Sequence, residues 1–208
     1  MLLINKPLEW TSFDVVNKLR YRLKIKKIGH AGTLDPLATG LLIVCTGTMT
    51  KQIERFQAQE KEYVGKFVLG QTTPSFDLET KPGEPLNIER ITEDQIRNAT
   101  QLFIGRIQQT PPLHSAIKID GKRAYELARK GMEPELKSRE VEIREFEITR
   151  VEKPRVSFRV VCSKGTYIRS LARDFGNALG VGAYLAELCR TRIGDFKLEN
   201  ALTIDQVS

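Results

Sequence analysis

Cysteine is scarce in this chain. Three residues, Cys45, Cys162 and Cys189, stand far apart in 208, with no C-x-x-C pair among them. That spacing excludes a disulfide framework and a zinc knuckle. Cys45 and Cys162 fall in apolar runs and read as small core residues. Histidine is scarcer still, with only His30 and His114, so no histidine-based metal centre is expected. No apolar run approaches the roughly 20 residues of a membrane helix. The opening MLLINKPLEWTS lacks the apolar stretch of a signal peptide. A cytoplasmic protein without membrane association is the expectation. Also missing are a glycine-rich phosphate loop followed by Lys and Ser/Thr, an internal repeat, a low-complexity tract and a linker long enough to divide the chain.

What is present begins with charge. Thirty-three Lys and Arg face 26 Asp and Glu, giving +7. Either the surface is simply biased toward cations, or a polyanion such as nucleic acid is the partner. The cations cluster: Arg20, Arg22, Lys24, Lys26 and Lys27 in one run, Arg169 and Arg173 in a second, Arg190 and Arg192 in a third.

Punctuation and periodicity give the elements. Thr11-Ser12-Phe13-Asp14 reads as a helix start, with Val15, Val16, Leu19 and Leu23 at helical spacing behind it. Leu41 to Cys45 reads as a buried strand. Glu62 to Gly70 alternates, with Tyr63, Gly65, Phe67 and Leu69 on one face. Thr92 and Gln95 form a capping box that Ile91 and Ile96 can staple, and Ala99 and Phe103 continue the apolar face. Further strands are predicted at Ser115 to Ile119, Glu140 to Thr149 and Val156 to Cys162. Asp120-Gly121 reads as a tight turn and Ala124 to Lys130 as a short helix. Ile168, Leu171, Ala172, Phe175 and Leu179 step as a helical face closed by Gly180. Ala183 to Leu188 is expected to be helical, ahead of a last strand near Arg192 to Leu198. Without a steady βαβ rhythm, these elements imply an α+β domain built on a large mixed, mostly antiparallel sheet.

The segment IGHAGTLDPLATGLLIVCTG, Ile28 to Gly47, carries one acid, Asp35. Pro36 drives Asp35 toward extended backbone, and Gly29 and Gly32 permit sharp turns before it. Asp35 is then either an ordinary Asp-Pro turn residue or a carboxylate held on a rigid loop for chemistry. Tyr63, Tyr167 and Arg169 carry similar pairs of readings, packing or function. Asp77, Glu126 and Asp174 read as surface acids.

Five segments in order resemble the catalytic domain of the TruB-type tRNA pseudouridine synthases: KPLEWTSFDVV, GHAGTLDPLATGLL, KEYVGKFVLGQTT, QTPPLHSAIKIDGKRAYELARKG and CSKGTYIRSLARDFG. The resemblance covers nearly the whole chain. It implies the pseudouridine synthase fold over 1–208, with an RNA-binding insertion at about 105–140 and no C-terminal domain of the PUA type. It places Asp35 at the catalytic aspartate and Arg169 at the arginine that pairs with it. Tyr63 falls at the tyrosine that stacks on the flipped uracil and is a candidate proton acceptor. His30 aligns with a T-loop contact, Tyr167 and Leu188 with the base pocket, and Lys6 and Lys51 with basic positions near the RNA. Two residues depart from the pattern: His114 stands where tyrosine is more usual, and Glu9 where glycine is common.

The implied activity is isomerisation of uridine to pseudouridine at position 55 of the tRNA T-loop. It would proceed by base flipping with one essential aspartate, without cofactor or metal, in a protein expected to be monomeric. The alternative is an RNA-binding or RNA-folding module in which Asp35 is structural.

Overall fold

The computed structural model describes residues 1–113, 118–119, 122–123 and 136–207. Strands order as β1 (Leu2–Lys6), β3 (Ala38–Thr46), β10 (Ala183–Ile193), β4 (Lys61–Leu69), β9 (Arg155–Cys162), β8 (Arg139–Glu152) and β5 (Gly105–Gln109), with β2 (Ile28–Ala31) also paired to β3 and β11 (Phe196–Lys197) to β10. Helices flank this mixed sheet, as the α+β expectation required. Among the described residues, no helix is long and apolar enough to cross a membrane. The chain forms two compact units. One holds 1–65, 159–164 and 187–208, the other 66–158 and 165–186.

The first unit is organised by β3 (Ala38–Thr46). Its apolar run is buried on both faces, which explains why it reads as continuous rather than alternating. Leu42 and Val44 pack with Ile4, Val15, Leu19, Ile204 and Val207. Leu41, Ile43 and Cys45 pack on the other side with Ala31, Phe56 and Ile193. One edge of β3 pairs antiparallel with β1 (Leu2–Lys6). The other edge is shared. Ala38, Thr39 and Gly40 run parallel to Leu188, Cys189 and Arg190 of β10 (Ala183–Ile193). Ile43 to Thr46 run antiparallel to β2 (Ile28–Ala31).

Gly40 makes this close pairing possible. Its φ is +102°, and a Cβ there would meet the Arg190 carbonyl oxygen at 2.4 Å. Helix α1 (Ser12–Leu23) begins at the Thr11 cap, with the capping box closed by Asp14. A short helix α2 (Ile53–Gln57) precedes β4 (Lys61–Leu69).

The second unit holds α3 (Glu93–Ala99), β5 (Gly105–Gln109), all of β8 (Arg139–Glu152), the start of β9 (Arg155–Cys162), and α4 (Ile168–Ala178). The Thr92–Gln95 capping box forms as predicted. Phe67, Phe103, Phe146, Phe158 and Phe175 form the aromatic core. Phe67 stacks on Phe158 at 4.0 Å between ring centroids, and Phe175 meets Phe146 edge-on at 5.5 Å.

One element departs from expectation. Ala183 to Leu188 is not helical; it opens β10, which continues to Ile193. Its alanines and leucines have high helix propensity. Pairing with β3 and burial of Ala183, Tyr184 and Leu185 override it. Gly194 then turns the chain into the short β11 (Phe196–Lys197).

Of the predicted elements between 111 and 135, only Lys118–Ile119 (β6) and Lys122–Arg123 (β7) are described, as an antiparallel pair. The Asp120-Gly121 turn, the 124–130 helix, His114 and Glu126 lie outside the described residues.

Candidate active site

The Asp35 loop is fastened on both sides of the carboxylate. Before it, the buried Ser12 hydroxyl accepts from Leu34 N at 2.8 Å and donates to Leu34 O at 3.2 Å. The Arg190 guanidinium spans the loop, donating to Gly32 O before Asp35 at 3.0 Å and through Nε to Leu41 O after it at 2.8 Å. After it, Pro36 O accepts from Glu9 N at 2.9 Å and from Lys6 Nζ at 3.3 Å. Asp35 O itself accepts from Ala38 N at 3.0 Å. Asp35 therefore is the first residue of a tight turn. The turn reading and the functional reading are both compatible with this backbone, because the main chain is bound while the residue stays half-exposed.

Glu9 has a φ of +65°. Glycine adopts this left-handed conformation without strain, and other residues pay roughly 1–2 kcal/mol. That is a physical reason for glycine being common at this position, and Glu9 keeps the backbone donor to Pro36 all the same.

Lys6 corrects an expectation. Resemblance puts it at a basic position near the RNA and so among substrate-binding residues, but it is fully buried. Its ammonium donates to Pro7 O at 2.9 Å and Trp10 O at 2.5 Å as well as to Pro36 O. Its role is to hold the loop rather than to meet a phosphate. Burial lowers its pKa to about 8; Asp35 opposes that shift and Arg190 reinforces it. Asp35 and Lys6 are thus electrostatic neighbours.

Tyr63 is buried on β4, and its hydroxyl is hydrogen-bonded to Arg190. Burial raises the phenol pKa despite that arginine. The phenolate is therefore scarce at neutral pH, which suits a stacking and hydrogen-bonding role better than proton abstraction. His30, half-buried on β2, has a pKa lowered by burial and by Arg190. Its ring is neutral at pH 7 and able to stack. Leu188 sits opposite Ala38, two residues before Arg190 on the same strand. Lys51 is exposed at the end of a 3₁₀ turn spanning Gly47–Gln52.

The first unit therefore brings together Asp35, Lys6, Tyr63 and His30 around Arg190, with Leu188 beside it on the strand. Arg190 is the residue that sequence reasoning underrated. In the sequence it stands only as part of a basic cluster, yet it is 1% exposed and fastens the loop. The signal was available in alternation. On a strand, Leu188 and Arg190 share a face; the helical expectation for 183–188 concealed it.

Tyr167 and Arg169 lie in the second unit, at the start of α4. Tyr167 occupies the cap position without a side-chain cap of its own. Instead the buried Gln109 side chain clamps it, accepting from Tyr167 N at 2.8 Å and donating to Tyr167 O at 3.1 Å. Ser170 Oγ donates to Thr110 O at 2.8 Å. The Arg139 guanidinium lies 4.6 Å from the Tyr167 ring centroid. Arg169 is only 3% exposed, so it is no surface residue. Its guanidinium is 3.4 Å from Asp77 Oδ2 and 3.9 Å from Glu79 Oε2. Asp77 is likewise buried, which corrects its reading as a surface acid. Asp174 pairs with Arg173 at 2.8 Å.

Family comparison matches residues 20–168 to "TruB family pseudouridylate synthase (N terminal domain)" and residues 169–208 to "tRNA pseudouridylate synthase B C-terminal domain". The chain is 56% identical to tRNA pseudouridine synthase B of Phocaeicola vulgatus, across 99% of this chain and 90% of that protein. It is 56% identical to the protein of the same name from Flavobacterium johnsoniae, across 98% and 92%. Among solved structures it resembles a Cbf5-Nop10-Gar1 complex with a TM-score of 0.76 at 34% identity, over 99% of this chain and 53% of that one. An H/ACA ribonucleoprotein bound to a substrate RNA containing 2'-deoxyuridine matches with a TM-score of 0.74 at 30% identity, over 99% and 51%. The chain thus spans about half the length of those two structural relatives.

Proposed function

The chain belongs to the TruB family of pseudouridylate synthases, and from that membership we propose that it converts uridine 55 in the T-loop of tRNA to pseudouridine, with Asp35 as the one essential carboxylate. The observation that carries this reading is the fastening of the Asp35 loop by Ser12, Lys6, Glu9 and Arg190. A turn that served only to reverse the chain would need no such bracing. A carboxylate that must meet one ribose carbon or one ring carbon does, since positioning errors near 1 Å cost about a hundredfold in rate.

The reaction cleaves the bond from uracil N1 to ribose C1′, turns the detached base and rejoins it through C5. C5 loses its proton to solvent and N1 gains one, so no electrons are exchanged and no cofactor or metal is needed. Asp35 attacks, stabilises positive charge at C1′, or abstracts a proton. Resemblance to the family assigns Arg169 as the arginine that pairs with the catalytic carboxylate; its buried guanidinium lies beside Asp77 and Glu79. Tyr63 and Leu188 cover the base, excluding the water that would divert the reaction to hydrolysis, and resemblance assigns Tyr167 to the same task. Flipping the uridine costs a few kcal/mol. Stacking on Tyr63 and His30, about 1–3 kcal/mol per base, offsets it. Lys51 meets phosphate. The whole chain acts as one catalytic domain with an RNA-binding insertion at about 105–140; residues 169–208 supply most of α4, all of β10 and β11, which supports that reading. It functions as a cytoplasmic monomer.

The test is pseudouridine mapping on an unmodified tRNA transcript, for the wild type and Asp35→Asn. The expected result is product only at the T-loop uridine for the wild type. The variant gives none, yet binds the transcript within a few fold of wild type. Turnover by Asp35→Asn, or joint loss of fold and binding, would make Asp35 structural and favour an RNA-binding module.

A further inference from the structure

Between Asp14 and Asp35 the sequence has no acidic residue and six Lys or Arg. Part of this run suits the end of α1, where cations interact favourably with the helix dipole. Arg20 and Arg22 stand in its last turn. Lys24, at the C-cap, shares that explanation; Lys18, Lys26 and Lys27 do not. Lys24 caps the helix in the left-handed region, φ 54°, and the chain folds back with Ile25 N bonded to Arg20 O at 3.2 Å. The reversal makes a groove of about 720 Å³ lined by Lys18, Arg20, Tyr21, Arg22, Lys24 and Lys26. Arg22 is tied to the Ile204 and Asp205 carbonyls, both at 3.0 Å, and lies 3.6 Å from the Asp205 carboxylate. Lys18, Lys24, Lys26 and Lys27 make no ion pair with any described residue. Tyr21 is 86% exposed beside them.

Crowding like charges without counter-charges costs stability unless a polyanion supplies them. The apolar face of α1 is spent on the core through Val15, Val16 and Leu19. Among the residues that line the groove, Tyr21 and Ile25 are the apolar ones and the other five are Lys or Arg, so charge dominates what it presents. The groove also has a fixed relation to the Asp35 loop. Lys27 O is held by Gly47 N at 2.8 Å, and β2 then runs from Ile28 to Ala31. Four strand residues rise about 13 Å, so the lysines stand about that far along the chain from the loop that carries Asp35.

We propose that this groove is a second RNA-binding site, separate from the reacting base. It takes the phosphate backbone of the RNA flanking the modified nucleotide, with Tyr21 stacking on an unpaired base or covering a ribose. The proposal rests on the reading that the chain acts on tRNA. It adds a sequence-independent grip that raises affinity and leaves the chemical step alone.

The test uses the full chain carrying Lys18→Gln, Lys24→Gln and Lys26→Gln together, a Lys→Arg triple at the same positions, and Tyr21→Ala separately. Binding to an unmodified tRNA transcript is measured against salt concentration. Each phosphate contact contributes about 0.7–0.9 to the slope of log K against log salt. The Gln triple should therefore lower the slope by about 2–3. Its KM should rise at least about tenfold while kcat at saturating tRNA stays within about twofold, a split that general damage to the fold would not give. The Arg triple should restore both, and Tyr21→Ala should weaken binding with the slope unchanged. If the wild type binds tRNA with a salt-dependent slope that the Gln triple leaves untouched, the groove proposal is overturned while the enzymatic reading stands. If the wild type shows no salt-dependent tRNA binding, the functional reading beneath it fails. Sedimentation with anionic phospholipid vesicles that the Gln triple abolishes, with tRNA binding unaltered, would assign the groove to a lipid surface and overturn the RNA assignment.

Discussion

Burial takes the Lys6 ammonium out of water and brings its pKa from 10.5 down to about 8. Unfolded, the same lysine keeps its proton up to about pH 10.5. Between these values the unfolded chain binds more protons than the folded one, so Lys6 makes stability rise with pH. Below pH 8 both states are protonated and its contribution is flat. The buried Lys61 behaves in the same direction, also near 8. Tyr63 works the other way, but only above its ordinary value of 10.0. Comparison with Lys6→Met cancels both. The stability of the wild type relative to that variant should climb between pH 8 and 10, by at most about 1.4 kcal/mol per unit. Urea unfolding at several pH values measures it, and a flat difference contradicts the buried, charged Lys6. The retention of so costly a group is explained by what it holds: three carbonyls, one of them that of Pro36, next to Asp35.

The helix α4 begins without a side-chain cap, although it carries Arg169 in its first turn. Gln109 at the end of β5 does that work from another element, bonding both the N–H and the C=O of Tyr167. Gln109→Leu keeps the shape and removes both bonds. Each main-chain group left buried without a partner costs about 1–3 kcal/mol. The expected outcome is a stability loss of about 2–4 kcal/mol with kcat down at least about tenfold, at temperatures where the variant stays folded. Wild-type kcat in the folded variant would show that the start of α4 does not depend on Gln109. Local pattern could not have named this residue. GRIQQTPP identifies a strand that ends before prolines, but nothing in it says which glutamine turns inward. Thr11 and Ser12 pose the same problem: one caps α1 and the other binds Leu34. Either could fill either role until the loop is in place.

Over the whole molecule, the aromatic core of the second unit ties α4 to the sheet. Phe175 on α4 is fully buried, 5.5 Å from the Phe146 ring and 5.7 Å from Phe67. Phe175→Ala should cost about 3–5 kcal/mol in chemical denaturation, since a cavity is left among rings that cannot collapse onto it. A loss under about 1 kcal/mol would mean that the cluster relaxes freely.

Periodicity and capping alone determined α1, α3 and α4, the strands around Leu41–Cys45, Glu62–Gly70, Glu140–Thr149 and Val156–Cys162, and the isolation of Asp35 on a punctuated loop. These signals are local: a cap lies within four residues of what it caps, and an amphipathic face declares itself within three turns. Resemblance supplied the names of Arg169, Tyr63 and His30. Only tertiary structure decided that Ala183–Leu188 is strand, that Lys6 and Arg190 are interior clamps, and that Asp77 is buried beside Arg169. Each of these depends on a partner distant in sequence: Gly40 for Arg190, Pro36 for Lys6, and Arg169 for Asp77. A charged residue announces nothing about burial until the group that compensates it has been brought alongside, and that is the work of the fold.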